Sequence, residues 1–74
     1  MASSLPELSP FTIEVEGEEI TVPTFGIDEE AAKDLLTMPD PSTAEIDGGG
    51  FIQRSGYRWF VYNGEQWYSL RLLN

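Results

Sequence analysis

The chain has 74 residues, a formal net charge of −9, and neither cysteine nor histidine. That length makes one domain, burying only about 60% of its unfolded surface, and the two missing residue types exclude a disulfide framework, a thiolate metal site and imidazole chemistry. Residues 1–50 carry −11 and residues 51–74 carry +2, from Arg54, Arg58 and Arg71 against Glu65, and a chain this acidic is repelled by nucleic acid and anionic membranes.

Residues 1–10 lack periodicity and contain Pro6 and Pro10, so they read as an extended arm that Leu5 and Leu8 would anchor to a neighbouring surface. No basic segment followed by an apolar run opens the chain, and no apolar run nears the ~20 residues that span a bilayer. The expected location is cytoplasmic, or a virion if the chain is phage-encoded.

Phe11, Ile13 and Val15 alternate with Thr12, Glu14 and Glu16. Reversal at Glu16-Gly17 brings Ile20 and Val22 back opposite Ile13 and Phe11. Glu14 then faces Glu19, a like-charge pair that costs stability unless solvent or a basic partner relieves it. Pro23 ends this hairpin. Asp28 suits a helix N-cap, with Glu29 and Glu30 in the first turn and Ile27 able to staple onto Ala32. Ala31, Leu35 and Met38 follow at helical spacing with Ala32 and Leu36 beside them, and Pro39 stops a helix of about ten residues. Residues 39–50 read as a loop because they combine two prolines with Gly48-Gly49-Gly50.

Phe51–Arg54 is a short strand, and Ser55-Gly56 turns it into a long hairpin over Tyr57–Leu73. Asn63-Gly64 is the turn signal, because a type I′ turn needs positive φ at both central residues. The expected fold is a small α+β domain over residues 11–74 in the order ββαβββ, with a C-terminal three-stranded meander. The alternative is a small SH3-like barrel with one helical insertion. Two-residue turns would align Ile52, Trp59 and Tyr68 on one face, joined by Tyr57, Val61, Leu70 and Leu72 as core. Phe51, Phe60 and Trp67 would align on the other, among Gln53, Arg58, Tyr62, Ser69 and Arg71.

That second face mixes large aromatics with arginine, the residue types enriched at binding hot spots. Its candidate partner-binding residues are Phe51, Arg58, Phe60, Tyr62, Trp67 and Arg71, with Glu14 and Glu19 as the acidic contribution. Asp40, Glu45 and Asp47 have neither spacing nor environment for catalysis or for an EF-hand, and Asp47–Gly50 lacks the lysine of a phosphate loop. No catalytic residue, cofactor or metal site is expected.

The segment Trp59-Phe60-Val61-Tyr62-Asn63-Gly64-Glu65-Gln66-Trp67 resembles the short aromatic hairpins of bacteriophage virion proteins, in which an aromatic strand, an Asn/Asp-Gly turn and a tryptophan recur. The resemblance covers about nine of the 74 residues and implies no functional residues. The expected function is a non-enzymatic protein–protein interaction module, with a phage structural accessory or capsid decoration protein as its finer form. Protein partners or self-association are expected, and neither nucleic acid nor membrane. Two other classes stand beside it: an acidic inhibitor that imitates nucleic acid, and a small carbohydrate-binding module.

Overall fold

The structure is a computed structural model and describes residues 5–73. Glu7–Val15 (β1) and Glu18–Ile27 (β2) form the N-terminal hairpin. The alternation set its register: Phe11 faces Val22, Ile13 faces Ile20, and Glu14 faces Glu19. The turn is Glu16-Gly17, with φ of 53° and 84°, the two consecutive positive angles of a type I′ turn. Glutamate is a poor residue for that conformation, which asparagine tolerates through its short polar side chain. Glu16→Asn is expected to stabilise the domain by about 0.5–1 kcal/mol, read as a higher urea midpoint. A midpoint at or below that of the parent chain would refute this account of the turn.

β1 starts at Glu7, earlier than Phe11, and its ladder shifts between Leu8 and Phe11. Pro10 lies in that gap, where its missing N–H removes a ladder bond. Residues 1–4 of the expected arm lie outside the described residues. Leu5 is exposed, and the Pro6 carbonyl accepts a hydrogen bond from the Gly26 N–H at 2.8 Å.

The helix is much shorter than its pattern predicts. Only Lys33–Leu36 (α1) is regular helix, after turns over residues 29–32. Asp28 is not its N-cap: Ala32 holds that position without a side-chain capping bond, and the Asp28 carboxylate instead accepts the Ala31 N–H at 2.7 Å in the preceding turn. Beyond it the backbone alternates between i−4 bonds (Leu36 N–H to Ala32) and i−3 bonds (Met38 N–H to Leu35). A segment this short has too few propagating bonds to hold one regular geometry, and Pro39 prevents its extension. The buried stripe omits one expected member. Ala32 is fully buried and Leu35, Leu36 and Met38 pack on the core, whereas Ala31 is exposed.

The expected loop over residues 39–50 contains a strand, Ser42–Ile46 (β3). It begins a four-stranded antiparallel meander with Gly50–Ser55 (β4), Arg58–Tyr62 (β5) and Trp67–Leu72 (β6). The order is therefore ββαββββ. The sheet runs β1-β2-β6-β5-β4-β3, with β2 and β6 its parallel pair. That pair forms because α1 and the meander together carry the chain back beside β2. β1 and β3 remain separate edges, so the SH3-like barrel is not formed.

The helix covers one face of the sheet. There Trp59, at 0% exposure, packs with Ile27, Ala32, Ile52 and Val61. Arg54 joins this layer from β4. Its guanidinium donates to the Leu36 and Met38 carbonyls at the helix C-terminus and to the Gly56 carbonyl, and lies 5.8 Å from the centre of Trp59. Cations favour helix C-termini and aromatic faces alike, so this arginine is a structural clamp.

The other face is covered in part by β1. Phe11 lies 5.6 Å from Phe60, centre to centre, although β1 and β5 are three positions apart in the sheet. In a flat sheet that separation is roughly 14 Å. The sheet therefore curls, and the hairpin folds its apolar side over β6 and β5. Val22 and Thr24 of β2 and Ser69 of β6 are buried.

Candidate functional site

The two turns of the meander decide which side chains meet. The chain turns at Gly56-Tyr57, with Ser55 facing Arg58, one residue later than expected. Tyr57 thereby leaves the core and is 70% exposed. Asn63-Gly64 is not a two-residue turn either: Tyr62 faces Trp67 across a loop of residues 63–66. The Asn63 carboxamide oxygen accepts the N–H groups of Glu65 and Gln66, each at 2.9 Å, and this Asx geometry stabilises the longer loop.

The expected division into faces holds, but the cross-strand neighbours differ. On the helix face Ile52, Val61 and Tyr68 align, and Trp59 faces Leu70. On the hairpin face the row is Phe51, Tyr62 and Trp67, while Phe60 faces Gln53 and Ser69. Phe60 and Trp67 are thus not directly opposed. The wider second loop moves the register by one pair on the same face, which exchanges partners without exchanging faces.

Six of the candidate residues, Phe51, Arg58, Phe60, Tyr62, Trp67 and Arg71, share the hairpin face. Phe51 and Arg71 are exposed; the other four are half-buried. Tyr62 and Trp67 lie 5.2 Å apart, their rings tilted by 39°. Glu14 and Glu19 sit opposite each other in the β1–β2 hairpin, and Glu14 borders a cleft that Trp67 also lines.

The curl of the sheet produces a cleft of about 410 Å³ between β1 and the meander. Ile13 and Val15 form one wall, Phe60 and Trp67 the other, and Glu14 and Glu16 stand at the acidic tip. With Glu18 and Glu19 directly across the turn, four carboxylates gather at this end. Gln53 and Ser55 complete the lining, so the cleft mixes apolar walls with polar side chains and is bordered by carboxylates at the β1–β2 end. Sequence reasoning missed the part played by Phe11, Ile13 and Val15 here. Their alternation identified an apolar face, but nothing in it indicated that the face closes onto β5 and not onto a helix.

Among the described residues no group of three or more acidic side chains is placed to hold a metal ion, and no helix is long and apolar enough to cross a membrane. The hydroxyls of Thr24 and Ser69, register partners across β2 and β6, are buried without a hydrogen-bond partner among the described residues. Buried hydroxyls without a base are not activated as nucleophiles. Comparisons with protein-family models, with curated proteins and with solved structures return no match for this chain.

Proposed function

We propose that this domain is a non-enzymatic docking module that receives a protein segment in the cleft between β1 and the meander. The observation that carries the reading is the aromatic row Phe51–Tyr62–Trp67, which continues outward from the cleft at Trp67 on the face that β1 covers only in part. Half-buried tryptophan and tyrosine supply large contact area with few rotatable bonds, as hot spots require. The four glutamates of the β1–β2 end add a preference for a segment in which lysine or arginine adjoins an apolar side chain. The finer reading, an accessory protein of a phage virion, is supported by the resemblance of residues 59–67. The carbohydrate alternative has less support, because the Tyr62 and Trp67 rings are tilted by 39° and not coplanar.

The test is capture of a partner from the native host on the full chain, followed by affinity measurements on variants. Trp67→Ala is expected to cost at least ~2 kcal/mol of binding, about 30-fold, with a much smaller change in denaturation midpoint. Glu14→Gln with Glu19→Gln should weaken binding and flatten its salt dependence, because exposed charges are screened within about 10 Å at 0.1 M salt. Both substitutions remove a like-charge contact, so folding should not suffer. Binding that follows salt but ignores Trp67→Ala would replace the cleft with the nucleic-acid-mimicking inhibitor. Binding that ignores salt and all three substitutions would end both readings.

A further inference from the structure

The three arginines of this acidic chain are not equivalent. Arg54 is committed to backbone carbonyls of the helix terminus. Arg58 and Arg71 face each other across β5 and β6, both on the hairpin face. The Leu72 N–H donates to the Tyr57 carbonyl beside them, which makes Arg58 and Arg71 a non-hydrogen-bonded pair of the antiparallel ladder. Such pairs bring their Cα atoms to about 4.5 Å and their side chains closest. Two cations so placed destabilise a sheet. They also border a hollow of about 230 Å³ whose lining adds Phe11, Phe60, Tyr57 and Ser55, with no carboxylate among the described residues that line it. The Arg58 guanidinium lies over the Phe11 ring, 4.0 Å from its centre, a cation–π contact that restrains it. Among the described residues, Glu29 of the helical segment borders Arg71 in a separate hollow.

We infer that Arg58 and Arg71 form a binding site for a carboxylate carried on an apolar body. The two guanidinium forks supply the bidentate donors that a carboxylate accepts, and Phe11 and Phe60 provide the wall for the body. The net charge of −9 decides the charge of the ligand. A monoanion meets half the long-range repulsion that a phosphate dianion meets. The site shares only Ser55 and Phe60 with the cleft and does not depend on the docking reading. Its carboxylate has two possible sources, a free small acid or the end of a peptide chain.

The test is a titration of the full ¹⁵N-labelled chain with benzoate, benzamide and inorganic phosphate, and with a blocked tripeptide ending in phenylalanine, as free acid and as amide. Saturable shifts of the Arg58 and Arg71 Nε–H signals are expected with benzoate and with the peptide acid. Their amides and phosphate should bind at least tenfold more weakly. Tighter binding of the peptide acid identifies a chain terminus as the source, and tighter binding of benzoate a free acid. Arg71→Gln, at an exposed position, should weaken binding at least tenfold while leaving the fold intact. Arg58→Lys should weaken it less, since it keeps the charge but not the fork. Equal binding of acids and amides, equal or tighter binding of phosphate, or affinity unchanged in Arg71→Gln would each overturn the assignment.

Discussion

Replacing Trp59 with alanine is expected to remove roughly 3–5 kcal/mol of stability, as truncation of a buried aromatic does. Trp59 is fully buried at the centre of the helix-side core, against Ile27, Ala32, Ile52 and Val61. A domain this small has on the order of 5 kcal/mol to lose. The variant should therefore be largely unfolded at room temperature, read as loss of the urea transition in circular dichroism. Arg54 would also lose the ring beside it and with it part of the restraint on the helix terminus. Trp59→Phe refills most of the space and should leave a measurable transition. Trp67→Ala, on the half-covered face, should shift the midpoint far less. If the two alanine variants unfold alike, Trp67 is core, and the aromatic row is a packing feature and not a docking one.

That contrast rests on face assignments that alternation supplies by itself. In β1 and β2 the apolar period of two and the Glu16-Gly17 reversal were enough to place every pair from Phe11–Val22 to Glu14–Glu19. The same period separated Trp59 and Val61 from Phe60 and Tyr62. It could not place their neighbours, because pairing depends on loop length. The Asn63 side chain stabilises a longer loop than its Asn-Gly dipeptide signals. β3 was hidden for a different reason. Thr43, Ala44, Glu45 and Ile46 are all exposed, so an edge strand with no buried face leaves no alternation to read. The helix failed through its bonds: Ala32, Leu35 and Leu36 carry a helical stripe, but tertiary packing and not propensity holds so short a segment. The cleft was legible least of all. It arises from the curl that brings Phe11 onto Phe60, a contact between strands that are not neighbours.

Gly50 shows how far geometry can reverse a reading from propensity. In a strand interior, glycine normally costs stability relative to alanine, so Gly50→Ala would be expected to help. Gly50 is buried at the start of β4, facing Ile46, and its φ is not among the positive angles of the chain. Conformation is thus no obstacle to alanine. Space is: an added Cβ would collide with the Tyr62 carbonyl oxygen and lie 3.1 Å from the Ile46 side chain. A backbone oxygen cannot swing aside, so β4 and β5 must part locally. Overpacking of this kind costs roughly 2–3 kcal/mol. Gly26 is the control. The nearest atoms a Cβ would meet there all belong to the Leu73 side chain, the closest a methyl at 2.6 Å, and Leu73 is exposed, with solvent to move into. Gly26→Ala should stay within about 1 kcal/mol of the parent chain, since lost backbone freedom in the unfolded state offsets the contact. The pair is measured by thermal unfolding of both variants under one set of conditions. Because the displaced carbonyl belongs to Tyr62, Gly50→Ala should also perturb the Tyr62–Trp67 pair, visible as a shift in Trp67 fluorescence below the transition. A Gly50→Ala variant as stable as Gly26→Ala would mean that β4 and β5 lie farther apart at this end, and the aromatic row would lose the register on which the docking proposal stands.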